Sequence, residues 1–136
     1  VLQECEQQQL INAYDNSIAY TDQVLAAGIH WLGRQTATHD PALLYVSDHG
    51  ESLGENNLYL HGLPYAVAPR EQTHVPMLLW WPEHSAAAAA QAACLRGRVD
   101  VPLTHDHLFH SVMGLVGVRS AEYNPALDAL QPCRPK

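Results

Sequence analysis

Two short stretches of this sequence carry side chains that can do chemistry together. The first is Ser47-Asp48-His49-Gly50-Glu51-Ser52-Leu53-Gly54-Glu55, and the second is His61-Gly62, twelve residues beyond His49. Asp48 offers a hard oxygen donor and His49 an imidazole, a pair that zinc accepts readily. Adjacent residues converge on one ion only where the backbone turns sharply, and Gly50 permits such a turn. His61 adds a second imidazole at the far end of the loop. A divalent metal held there would polarise a phosphoryl oxygen and stabilise an attacking oxyanion. Zinc needs four ligands, or three and a water, so these residues form part of a site. Glu51 and Glu55 stand where carboxylates commonly orient ligand histidines such as His49 or His61, or else are solvated loop carboxylates, a reading that suits Glu55 better than Glu51. Ser52 is not a hydrolase nucleophile: no G-x-S-x-G surrounds it and no strand feeds directly into it.

These stretches need a strand before them. Ala42 to Val46 is a short apolar run between Pro41 and Asp48, and it reads as a strand buried on both faces, as in a parallel sheet. Ligands bind beyond the carboxyl ends of such strands, where Asp48 and His49 lie. The polar segment from Ser47 to Arg70 is long for a connection, which marks it as either functional or disordered. Val75 to Trp81 reads as a second strand, with Pro76 at its start or on an edge. Upstream, Ile11, Tyr14, Ile18, Leu25, Ile29 and Leu32 form the apolar stripe of a helix over 10–32. Downstream, helices are expected over 83–96, through the five-alanine run, and over 104–116. Thr104 is the expected N-cap of the latter and Asp106 suits its first turn. His105, His107 and His110 then read as polar residues of a capped helix start rather than a metal cluster. Trp31, Trp80 and Trp81 are expected to pack in or beside the core, and His30, His39, His74 and His84 are ordinary residues. Helices alternating with strands indicate an α/β layered domain.

The 136 residues are one domain's worth, and 47% hydrophobic residues suffice for a core. Seven basic against fourteen acidic residues give a net charge of −7, which excludes a nucleic-acid partner bound through a basic patch. No apolar run reaches the ~18 residues of a membrane span. The chain opens on Val1, and Cys5, Cys94 and Cys133 make an odd count without CxxC spacing; both features suggest a fragment.

The residues carry a resemblance. Tyr14-Asp15-Asn16-Ser17, Tyr20-Thr21-Asp22, SDHGESLGEN, LHGLPYAVAP, Val75-Pro76-Met77-Leu78-Leu79-Trp80 and His105-Asp106-His107-Leu108-Phe109-His110, in that order, resemble the phosphoethanolamine transferases that modify lipid A. That family includes the mobile colistin-resistance enzymes and belongs to the alkaline phosphatase and sulfatase superfamily. The resemblance implies an α/β/α sandwich of the alkaline phosphatase/sulfatase type, with residues 1–136 as the carboxy-terminal portion of a periplasmic catalytic domain. It implies an amino-terminal domain anchored in the inner membrane. It further implies a zinc-dependent enzyme that takes phosphoethanolamine from phosphatidylethanolamine onto a threonine and passes it to a lipid A phosphate. Carried over by position, Asp48 and His49 match zinc ligands, and His61 matches the histidine at the phosphoryl group or a second zinc. The nucleophile is not in this chain, so the 136 residues alone are expected to show no turnover. Cys5 matches a cysteine that pairs upstream, which leaves Cys94 and Cys133 as the intrachain disulfide. A sulfatase or phosphoglycerol transferase of the same superfamily is the alternative enzyme, disfavoured by LHGLPYAVAP. A non-catalytic metal-binding module is the alternative of another class.

Overall fold

A computed structural model describes residues 4–134. They fall into two compact units, the first ending at Pro82 and the second beginning at Glu83.

The first unit is built on helix α1 (Gln7–Gly33). The stripe of apolar residues sets its length, and a turn over 34–38 ends it. Strand β1 (Leu43–Val46) pairs with β4 (Met77–Trp80), with Leu43 opposite Trp80 and Val46 opposite Met77. The pairing is antiparallel, which corrects the parallel-sheet expectation for β1. All four β1 residues are half-buried rather than buried on both faces. The physical reason is that a four-residue apolar run has no periodicity that distinguishes a parallel core strand from one of an antiparallel pair. At Gly28 an added methyl would meet the Leu43 side chain at 3.5 Å, so the helix backbone runs close to β1. No residue of α1 is fully buried, and Trp31 is 55% exposed, against the expectation of core packing. Trp80 and Trp81 are half-buried.

Between β1 and β4 the long loop has internal order. Strands β2 (Ser52–Leu53) and β3 (Tyr59–Leu60) form a small antiparallel hairpin, with Ser52 opposite Leu60 and Leu53 opposite Tyr59. Its turn needs left-handed backbone, supplied by Gly54 (φ 117°), Asn56 (φ 52°) and Asn57 (φ 60°). The Glu55 carboxylate closes it by accepting from the Leu53 N–H at 2.7 Å. One turn of helix, α2 (Arg70–Thr73), follows and lies behind the hairpin. There Gln72 Nε2 donates to the buried Ser52 Oγ at 2.9 Å.

The second unit contains α3 (Ala86–Arg96), capped by Ser85, whose Oγ accepts from Ala88 N at 3.1 Å, and α4 (Asp106–Leu115). Asp106 stands in the first turn of α4 as expected, but the N-cap is His105, without a side-chain cap bond, and not Thr104. His107 displaces the threonine: its Nδ1 accepts from the Thr104 N–H at 3.0 Å while the Thr104 carbonyl accepts from His107 N. A disulfide joins Cys94 to Cys133, 39 residues apart, beside the buried Ala92 and Leu130. Cys5 is exposed ahead of α1.

A polar cluster organises the rest of this unit. Ser111, fully buried, accepts from Ala129 N at 3.0 Å. Asp128, also buried, accepts from Leu130 N (2.9 Å) and Tyr123 O–H (2.6 Å). Arg134 Nη2 stands 2.6 Å from Asp128 Oδ2, but out of hydrogen-bond alignment, so that contact is ionic. A Cβ at position 114 would meet the ends of the Asp128 and Arg134 side chains, so any residue but glycine forces that pair to shift. Removing one member of a buried ion pair leaves its partner uncompensated. Asp128→Ala should therefore cost about 3 kcal/mol, read as a lowered urea midpoint. The hydrogen bond to Asp128, then burial, raises the Tyr123 pKa above its ordinary 10.0. The neutral phenol is the bonded form, so its contribution is complete below that ordinary value and disappears as pH rises through the raised one.

Candidate metal and phosphoryl-transfer site

The site is assembled where β1 ends. Ser47 N extends the ladder to the Pro76 carbonyl (3.3 Å), and Ser47 Oγ donates to the His49 carbonyl at 2.8 Å, which bends the chain there. Gly50 then passes against α2: its N–H donates to the Gln72 carbonyl at 3.0 Å, and a methyl in place of its hydrogen would strike the Glu71 carbonyl. This close approach, rather than a left-handed conformation, is why glycine stands at position 50.

The bend brings His49 beside His61. Their rings stack with centroids 3.7 Å apart and planes 28° from parallel. His61 Nδ1 lies 2.7 Å from Glu51 Oε1. His49 Nδ1 lies 3.0 Å from the Gly50 carbonyl, which only accepts, so Nδ1 carries the proton and Nε2 keeps its lone pair. One donor atom from each of His49, Glu51 and His61 lies within 4.8 Å of the others. Glu51 Oε2 is buried and has no hydrogen-bond partner among the described residues. Imidazole and carboxylate donors are the types a zinc site uses, and Asp48 Oδ2 and His49 Nε2, 3.8 Å apart, are spaced to share one ion beside this group.

Asp48 sits differently. Its side chain is 90% exposed, its Oδ1 accepts from His49 N at 3.1 Å, and its Oδ2 is 3.8 Å from His49 Nε2. It borders the cluster on the His49 side, with its carboxylate open to a further ligand. Glu55 is occupied in the hairpin turn, at Leu53 N. Ser52 is buried and bonded to Gln72, which agrees with its exclusion as a nucleophile. His107 and His110 serve structure, the latter accepting from Asn124 N at 3.1 Å. Tyr14, with Leu10, lines an apolar recess against Glu51 and Leu53, and Gln7 Nε2 reaches the Leu53 carbonyl at 3.4 Å; these first turns of α1 back the loop. The sequence reading had no means to find Gln72, whose partner lies twenty residues away.

The sulfatase family model matches residues 2–118, and the chain belongs to that family. Within it, the chain is 45% identical over 135 residues to the phosphoethanolamine transferase EptA of Salmonella typhimurium, covering 98% of this chain and 25% of that protein. Among solved structures, the soluble domain of lipooligosaccharide phosphoethanolamine transferase A from Neisseria meningitidis matches with TM-score 0.91 and 38% identity, over 99% of this chain and 41% of that one. The carboxy-terminal periplasmic domain of phosphoethanolamine transferase EptC from Campylobacter jejuni matches with TM-score 0.86 and 39% identity, over 98% and 42%. The resemblance drawn from the motifs and the alkaline phosphatase/sulfatase fold are both borne out. The chain spans about a quarter of the length of the curated relatives it matches. No helix among the described residues is long and apolar enough to cross a membrane.

Proposed function

We propose that this chain forms part of a zinc-dependent transferase. It moves phosphoethanolamine from phosphatidylethanolamine to a lipid A phosphate, by way of a threonine outside these 136 residues. The observation that carries the reading is the 45% identity to a phosphoethanolamine transferase along nearly the whole chain, including SDHGESLGEN and LHGLPYAVAP. Asp48 and His49 would hold the zinc, and His61 would face the phosphoryl group. When bound, zinc lowers the pKa of a coordinated hydroxyl and offsets charge on phosphoryl oxygens. The residues of this chain supply the rest. Ser47 and Gly50 fix the bend that presents His49, and the hairpin returns His61 to it. The protein that carries this chain is proposed to be anchored in the inner membrane with these residues in the periplasm.

Expression of the full-length protein in a bacterium with unmodified lipid A provides the test. Mass spectrometry of the lipid A should show added phosphoethanolamine. Chelation should abolish transfer by the purified enzyme, with zinc restoring it. Activity on sulfate esters or phosphoglycerol donors instead, or folded protein that leaves lipid A unmodified, would overturn the reading.

A further inference from the structure

We propose that Glu51 is the positioning residue for His61: it holds the ring through Nδ1 and so fixes Nε2 as the nitrogen that faces the reacting group. This rests on the functional reading above and assigns a role within the same site.

The hairpin register carries the inference. Ser52 pairs with Leu60 and Leu53 with Tyr59, so continuing the ladder one step sets Glu51 directly across from His61. Directly opposed residues of an antiparallel pair have Cβ atoms about 5 Å apart, within reach of a carboxylate–imidazole bond. The two meet at 2.7 Å between Oε1 and Nδ1. With the Glu51 oxygen as acceptor in this bond, Nδ1 carries the hydrogen and Nε2 is left with its lone pair. Of the neighbouring carboxylates, Glu55 is committed to Leu53 N, and Asp48 contacts His49 rather than His61.

The rest of the hairpin keeps Glu51 in place. Its carboxylate side chain is only 22% exposed, and the next residue, Ser52, is buried and anchored by Gln72. Against His49 the His61 ring is stacked face to face. One face and one edge of the imidazole are therefore fixed, and the Nε2 edge is the one left for ligand. Carboxylates that orient functional histidines in this way are commonly worth 10–100-fold in activity or affinity.

Two measurements on the full-length protein test this. In kinetics, Glu51→Ala should lower kcat about 10–100-fold with KM little changed, and Glu51→Gln, which keeps an acceptor oxygen, should recover most of that loss. In a His61→Ala background, Glu51→Ala should cost nothing further, because Glu51 acts through His61. Losses that simply multiply would overturn the proposal. Independently of turnover, 15N spectra of histidine-labelled protein in detergent should show His61, assigned by loss of its signals in His61→Ala, as the Nδ1–H tautomer. Glu51→Ala should convert it to a mixture, and an unchanged His61 tautomer would overturn the assignment. Wild-type protein that fails to modify lipid A yet shows the coupled tautomer would reject the functional reading alone.

Discussion

His49→Ala in the full-length enzyme should reduce phosphoethanolamine transfer by at least about 10³-fold, measured as modified lipid A per mole of folded protein. His49 stands at the centre of the site: it abuts Asp48, stacks on His61 and belongs with Glu51 and His61 to a group of side chains that could hold a metal ion. A metal contributes several kcal/mol to stabilising phosphoryl transfer, and each 1.36 kcal/mol is tenfold in rate, so losing a ligand and the ring that backs His61 removes three or more powers of ten. The stability cost should be small, because the ring is partly exposed and makes one bond to its own neighbour's carbonyl. Asp48→Ala is expected to lose activity likewise. Full activity in either variant would sink the zinc assignment.

The second large effect concerns a residue with no side chain. Gly50→Ala should cost about 3 kcal/mol and abolish transfer, since the added methyl would drive into the Glu71 carbonyl. A backbone carbonyl held in a helical turn cannot swing aside as a flexible side chain does. The strand leaving His49 must move instead, and with it go the Gly50 N–H bond to Gln72 and the register that sets Glu51 across from His61. Thermal denaturation alongside the transfer assay would check both parts. A variant as stable and active as the parent would show that the loop tolerates the shift.

Much of this was legible in the residues, and the remainder was not for identifiable reasons. Helices α1 and α4 follow from apolar periodicity, α3 from alanine's helix preference, and strands β1 and β4 from short apolar runs. The hairpin inside the long loop escaped because two-residue strands have no period; its only trace is the turn chemistry of Gly54-Glu55-Asn56-Asn57 between Ser52-Leu53 and Tyr59-Leu60. Without that hairpin, nothing in the sequence distinguishes Glu51 from Glu55, and the ten residues between Glu51 and His61 give no hint of a bond. Sense of pairing for β1 was likewise hidden in a short apolar run. The motif residues themselves, Asp48, His49 and His61, were visible because their chemistry is written in side-chain type.

Leu60, immediately before His61, adopts φ 64°, a left-handed conformation that leucine rarely enters and glycine would occupy at little cost. For a residue with a Cβ that region is a narrow well, so the backbone leading into His61 has few alternatives nearby. A glycine would relieve the local strain of ~1 kcal/mol and at the same time open a wide range of backbone directions. Leucine thus gives up a little stability for a narrower choice of approach angle at His61. On the proposed function this is preorganisation: binding would have less of the imidazole's freedom to remove, leaving more binding energy for the transition state.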